Sequence, residues 1–160
     1  MTDPKIREEA LRFMQRNKIG VVTTISTISG SSEPQAATVI CLVDDSFNIY
    51  FATMTLLRKF KNIEKNNNIG IVIGTDHNFP LCVQAQGKAE IIKDPKDVMI
   101  DFFQKHINLL EGLPTPEWMP LIKMKETEMA VVKIKPYWLR WMNLDVKNAG
   151  KEMFYQIIPS

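Results

Sequence analysis

Apolar and polar residues alternate along most of this chain with the two-residue period of a half-buried strand. The runs KIGVVTTISTI (18–28), PQAATVICLV (34–43), FNIYFAT (47–53), NIGIVIGT (68–75) and LCVQAQGKAEIIK (81–93) are rich in Val, Ile, Thr or aromatics. Gly, Ser, Asp or Asn separates them, so they predict five strands. The turn Asp44-Asp45-Ser46 is short enough to join the second and third as a hairpin. Two more strands are expected at Met129–Lys135 and Trp138–Leu144, and the tail KEMFYQIIPS reads as an edge strand or a segment that docks on a partner.

Helical periodicity appears at three places. Ile6, Ala10, Phe13 and Met14 share one face between Asp3 and Asn17, with Asp3 before Pro4 as the start signal, so a short helix should lie as a lid on a sheet. Between Thr55 and Lys65, Leu56, Phe60 and Ile63 recur at i, i+4 and i+7, which buries that face and turns Arg58, Lys59 and Lys61 elsewhere. Asp94-Pro95 opens a third helix carrying Met99, Phe102, Phe103, His106 and Leu110, and the Pro-rich LPTPEWMP follows Gly112. Helices placed only at the ends and at one crossover argue for a mainly β (α+β) architecture. The expected form is an antiparallel barrel of six to seven strands with peripheral helices, not a parallel βαβ sheet.

Composition narrows this picture. The 160 residues, 45% of them hydrophobic, suffice for one core, so residues 1–160 read as one domain. Twenty Lys+Arg against 18 Asp+Glu leave a formal charge of +2, which provides no footprint for nucleic acid or a membrane surface. No run approaches the roughly 18 apolar residues of a membrane span, and MTDPKIREEA is too charged for the core of a signal peptide. A cytoplasmic protein is expected. Cys41 and Cys82 sit in apolar runs as buried thiols and suggest neither a disulfide framework nor a metal site.

Candidate chemistry is sparse. His77 and His106 are the two histidines, and neither stands in a nucleophile elbow or a His-x-x-x-His pair. The chain lacks the GxGxxG and GK[ST] phosphate signatures. What stands out is FATMTLLRKFKNIEKNN (51–67), which puts Arg58, Lys59 and Lys61 at a helix opening, where the macrodipole favours anions. One reading is a solvated helix face. The other is a local phosphate site made of free N–H groups, the Thr55 hydroxyl and two cations, with Arg58 able to bind bidentately.

The order of these segments resembles the flavin-binding split barrel of the pyridoxamine 5'-phosphate oxidase superfamily, especially its smaller general stress flavoproteins. The resemblance rests on the apolar strand with its Phe-x-Thr ending, the Arg-Lys pair, the Asn-rich helix end, PQAATVICLV, the Gly-x-Ala strand CVQAQGKAEII and the closing VVKIKPYWLRWMN. It spans roughly residues 10–145. It implies noncovalent FMN at a homodimer interface. Arg58 and Lys59 would hold the phosphate, Phe51, Ala52 and Thr53 would lie beside the ribityl chain and phosphate, and Ala37, Thr38 and Val39 would run along the isoalloxazine ring. Trp141 would match an aromatic residue near the flavin.

Departures from the family pattern are informative. Ala37 replaces an Arg, Leu42 a substrate-side Lys, and Leu57 the Ser before Arg-Lys, which leaves Thr55 as the nearby hydroxyl. Cys82 takes the place of a flavin-contacting Gln, while Gln84 and Gln86 share its face by strand alternation. The Arg-x-His pair that the oxidase uses for pyridoxal phosphate has no counterpart, and Trp138, Arg140 and Trp141 stand on the last strands instead. The resemblance therefore implies an FMN-dependent oxidoreductase for an unidentified small molecule, with NADH or NADPH as a candidate donor and no catalytic acid or base assigned. Rival readings are a non-enzymatic flavin sensor, or the same fold around haem or a deazaflavin.

Overall fold

In the computed structural model, residues 2–27, 30–74, 81–92, 128–144 and 152–159 are described. Helix α1 (Pro4–Arg16) opens the chain, with the Asp3 side chain accepting from Lys5 N at 2.9 Å. Strands β1 (Ile19–Ser26), β2 (Glu33–Val43) and β3 (Ile49–Met54) follow, then helix α2 (Arg58–Lys65). Strands β4 (Asn68–Ile73), β5 (Leu81–Ile92), β6 (Met129–Asn143) and β7 (Phe154–Ile158) complete the order. All pairings are antiparallel, in the order β3-β2-β1-β4-β5-β6-β7, and β3 also pairs with β6. Six strands thus close into a barrel and β7 extends it past the closure, the architecture of a split barrel.

Alternation decides what lies inside. Val22, Val39, Cys41, Ile49, Phe51, Ile71, Ile73, Val83, Ile134 and Leu139 are buried in one core with Ala10 and Met14 of α1. Phe13 of α1 packs on Trp141 with ring centroids 4.6 Å apart. Helix α1 is therefore the expected lid. Both thiols are free and buried, and burial pushes Cys41 up to about 12, against a smaller opposing pull from Lys18. Among the described residues no helix is long and apolar enough to cross a membrane.

Three expectations need correction. The two closing strands are one fifteen-residue strand, β6, because the register slips at Gln86/Gly87 and Tyr137 is accommodated as an extra residue opposite them. Gly87 makes this possible, since a Cβ there would lie 2.6 Å from the Lys135 carbonyl oxygen. Helix α2 begins at Arg58 and not at Thr55, so Leu56 is 65% exposed and stands outside the buried face held by Phe60 and Ile63. Phe47 is not in a strand. It takes φ 66 at the end of the β2–β3 turn, donates its N–H to Asp44 O at 3.0 Å and buries its ring beneath the Arg7 guanidinium. The tail does form an edge strand, β7 against β6. The helix expected from Asp94, the loop LPTPEWMP, His77 and His106 lie outside the described residues.

Candidate functional site

The first turn of α2 is left open by its own sequence. Leu57 occupies the cap position with extended backbone and offers no side-chain acceptor, and the first turn holds no acidic residue. Its carbonyl accepts from Phe60 N at 3.1 Å and Lys61 N at 3.3 Å, as any helix start requires. The Arg58 and Lys59 side chains form no hydrogen bond or ion pair with another described residue. Burial holds the half-buried Lys59 ammonium below the usual lysine value.

These two residues border a cleft of about 480 Å³ together with Thr24, Gln35, Ala36, Ala37 and Leu57. Its floor is organised by Asn62, one helical turn after Arg58 and 2% exposed. The Asn62 Nδ2 donates to Thr24 Oγ1 at 3.0 Å and to Gln35 Oε1 at 2.9 Å. With its carbonyl oxygen engaged, Gln35 is left with an amide that can donate to a ligand. Positive charge, open N–H groups and amide donors converge on one opening, which is an electrostatic arrangement that attracts an anion.

The structure brings some sequence candidates together and disperses others. Arg58, Lys59 and Ala37 border the cleft. Thr38 is exposed on the outer sheet face, while Val39 and Phe51 are buried in the core. Ala52 lies opposite Val131 on the outer side of β3. Thr53 is 3% exposed at the end of β3 that feeds α2, and its Oγ1 is buried without a hydrogen-bond partner. Thr55 is not a free hydroxyl, because its N–H and Oγ1 both engage the Glu128 carbonyl, at 3.0 and 3.4 Å. Trp141 is 3% exposed against α1 with its Nε1 unpartnered, which puts it on the inner side of the sheet that carries Gln84 on its outer side.

Gln84 belongs to a second cluster. Its Oε1 accepts from Arg140 Nη2 at 2.7 Å, and the Arg140 guanidinium lies 5.5 Å from the Trp138 ring centroid and 5.2 Å from that of Phe154. Cys82 stands on the same outer face; burial raises its thiol and Arg140 partly offsets that. Strand register connects the two clusters. Ala36, Thr23, Gly70, Gln86 and Trp138 form one row across the outer face, and Thr38, Val21, Val72, Gln84 and Arg140 form the next. Each row spans four strand spacings, roughly 19 Å along the sheet. Between its ends lie Val21 and Val72, 42% and 38% exposed, and Ile19 stands nearby at 55%.

Gln35, Thr24 and Asn62 were missed by sequence reasoning. The available signal was Asn62, a polar residue beside Ile63 on the buried side of α2, because a buried amide must have partners. Among the described residues no group of three or more His, Cys, Asp or Glu is arranged to hold a metal ion.

Comparison with known proteins agrees with this architecture. General stress protein 26 from Bacillus anthracis is 21% identical, with 94% of this chain and 98% of that one covered and a TM-score of 0.61. A Clostridium acetobutylicum protein related to general stress protein 26 is 18% identical, with 97% and 96% covered and a TM-score of 0.65. An F420 reductase is 20% identical, with 80% and 93% covered and a TM-score of 0.60. No curated protein matches the sequence. The family model described as pyridoxamine 5'-phosphate oxidase matches residues 6–136, from α1 through the barrel to the bulge in β6. With most of its length matched and its strands closed in the corresponding barrel, the chain belongs to the pyridoxamine 5'-phosphate oxidase family.

Proposed function

We propose that this protein is a homodimeric flavoprotein that binds FMN noncovalently and acts as an oxidoreductase on a small organic molecule. The observation that carries the reading is the uncapped start of α2, where unpaired Arg58 and Lys59 face a cleft whose floor offers the Gln35 amide. These residues fit a phosphate monoester. A dianion there would offset the unfavourable placement of two cations at the positive end of a helix dipole, and would give the partly desolvated Lys59 a counter-charge. The orphaned Thr53 hydroxyl, at the strand end leading into α2, is a further donor of the right kind.

Bound FMN would supply the electron transfer. The protein's share is positioning: Arg58 and Lys59 hold the phosphate end, Asn62 fixes Gln35, and the β2 backbone from Ala37 to Val39 offers a flat edge for the ring. A second copy laid over the exposed Ile19, Val21 and Val72 would exclude water from that edge and remove apolar surface from solvent. NADH or NADPH is the candidate electron donor, and the cytoplasm the expected compartment.

The purified protein mixed with FMN is expected to show a shifted flavin absorption spectrum and quenched flavin fluorescence. Unchanged free-flavin spectra would defeat the reading. A deazaflavin titration belongs beside it, since one fold neighbour is an F420 reductase.

A further inference from the structure

We infer that Arg140 is a specificity-determining residue that receives the carboxylate of a small organic substrate, an inference that rests on the flavoprotein reading above. Arg140 is the only cation in its register row, among the neutral residues Gln84, Val72, Val21 and Thr38. No carboxylate among the described residues pairs with it, and its Nε is buried without an acceptor. Among the described residues its side-chain acceptor is neutral, the Gln84 Oε1 at 2.7 Å. A guanidinium has five donors and no acceptor, so most of its capacity is unspent.

The neighbours of Arg140 set the polarity of the place. Because Arg140 can only donate, Gln84 must turn its carbonyl oxygen toward it and keep its NH2 for something else. Arginine and glutamine together then present N–H groups to an incoming acceptor. Trp138 and Phe154, stacked near the guanidinium at 5.5 and 5.2 Å, provide apolar walls for the body of the molecule. Charge count selects the anion. Lys88, the next cation on the outer side of β5, is bonded to Asn68 Oδ1 at 2.6 Å, so one free guanidinium suits a monoanionic carboxylate better than a phosphate dianion.

Position makes the cluster more than a surface arginine. Its neighbour Trp138 ends the outer-face row that begins at Ala36 on the rim of the Arg58–Lys59 cleft, and Arg140 stands in the adjacent row. A flavin anchored by its phosphate in the cleft would have this face along its length. The family's pyridoxal phosphate pair is missing from the sequence, and the Arg140 cluster supplies a different recognition chemistry.

Calorimetric titration of the FMN-loaded protein tests this with benzoate as the probe, and with benzamide and inorganic phosphate as controls. Benzoate is expected to bind at least about tenfold tighter than benzamide or phosphate, a discrimination typical of a charge-assisted pair. Arg140→Met should remove that preference while FMN affinity and sedimentation stay unchanged, and Arg140→Lys should recover part of it. Equal binding of benzoate and benzamide, no binding of either, or benzoate affinity untouched in Arg140→Met overturns the inference. So does dissociation of Arg140→Met into monomers, which would assign the arginine to the subunit interface. The protein without added flavin is titrated in parallel: benzoate binding that depends on Arg140 there, with no FMN uptake, defeats the flavoprotein reading and leaves the arginine assignment standing.

Discussion

At the scale of single residues, side chains here are tuned by what they lack as much as by what they touch. Arg58 and Lys59 occupy a helix start where each cation costs a few tenths of a kcal/mol to about 1 kcal/mol, and no acidic side chain in the first turn compensates. Asp44 is the opposite case. Burial works against its charge, but hydrogen bonds from Asn48, Tyr50 and Ser46 outweigh it and hold the carboxyl below its ordinary value. A depressed folded pKa stabilises the fold fully above the unfolded carboxylate value of about 3.9, and that contribution is lost as pH falls below it. Urea denaturation midpoints of the wild type should therefore fall more steeply than those of Asp44→Asn between about pH 5 and about pH 3. Parallel pH profiles would refute the assignment. This turn was legible in sequence only as a turn: Asp44-Asp45-Ser46 signals a reversal, but nothing in FNIYFAT says that Phe47 adopts a positive φ to drop its ring into the core.

At the scale of elements, β6 shows why two strands were expected and one was found. Lys135, Pro136 and Tyr137 interrupt the apolar alternation, and Pro normally ends a central strand. The interruption is absorbed by a bulge, because Gly87 on β5 lets the Lys135 backbone approach where a side chain would collide. Gly87→Ala should destabilise the protein by about 1–3 kcal/mol, the usual cost of forced overpacking. Chemical denaturation measures this, and a neutral substitution would mean the strands separate freely at the bulge. Helix α2 teaches a related lesson. Its apolar spacing from Phe60 to Ile63 was readable, but its start was not, because Leu56 fits the helical period and yet precedes the first helical residue. Asn62 was equally hidden, since its two acceptors come from β1 and β2, far away in sequence.

At the scale of the whole molecule, the barrel was legible because period-two alternation and turn residues punctuate nearly every strand. Closure of β3 onto β6 was not, since it pairs Thr53 with Ala130 across nearly half the chain. The outer face of β1 and β4 leaves Ile19, Val21 and Val72 partly in water, and the proposed dimer covers them. Sedimentation should give twice the chain mass. Val21→Asp should shift the protein toward monomer and weaken flavin binding while leaving the circular dichroism of the barrel intact. A wild-type monomer that binds flavin fully would rule out a shared site.

The central claim is that the open start of α2 is a phosphate clamp for FMN, and fluorescence titration of FMN against riboflavin tests it most directly. The two ligands share the ring and ribityl chain and differ in the phosphate. FMN should bind the wild type at least about tenfold more tightly than riboflavin, and Arg58→Ala with Lys59→Ala should erase most of that difference. Equal affinities in the wild type, or an unchanged difference in the double variant, would contradict it.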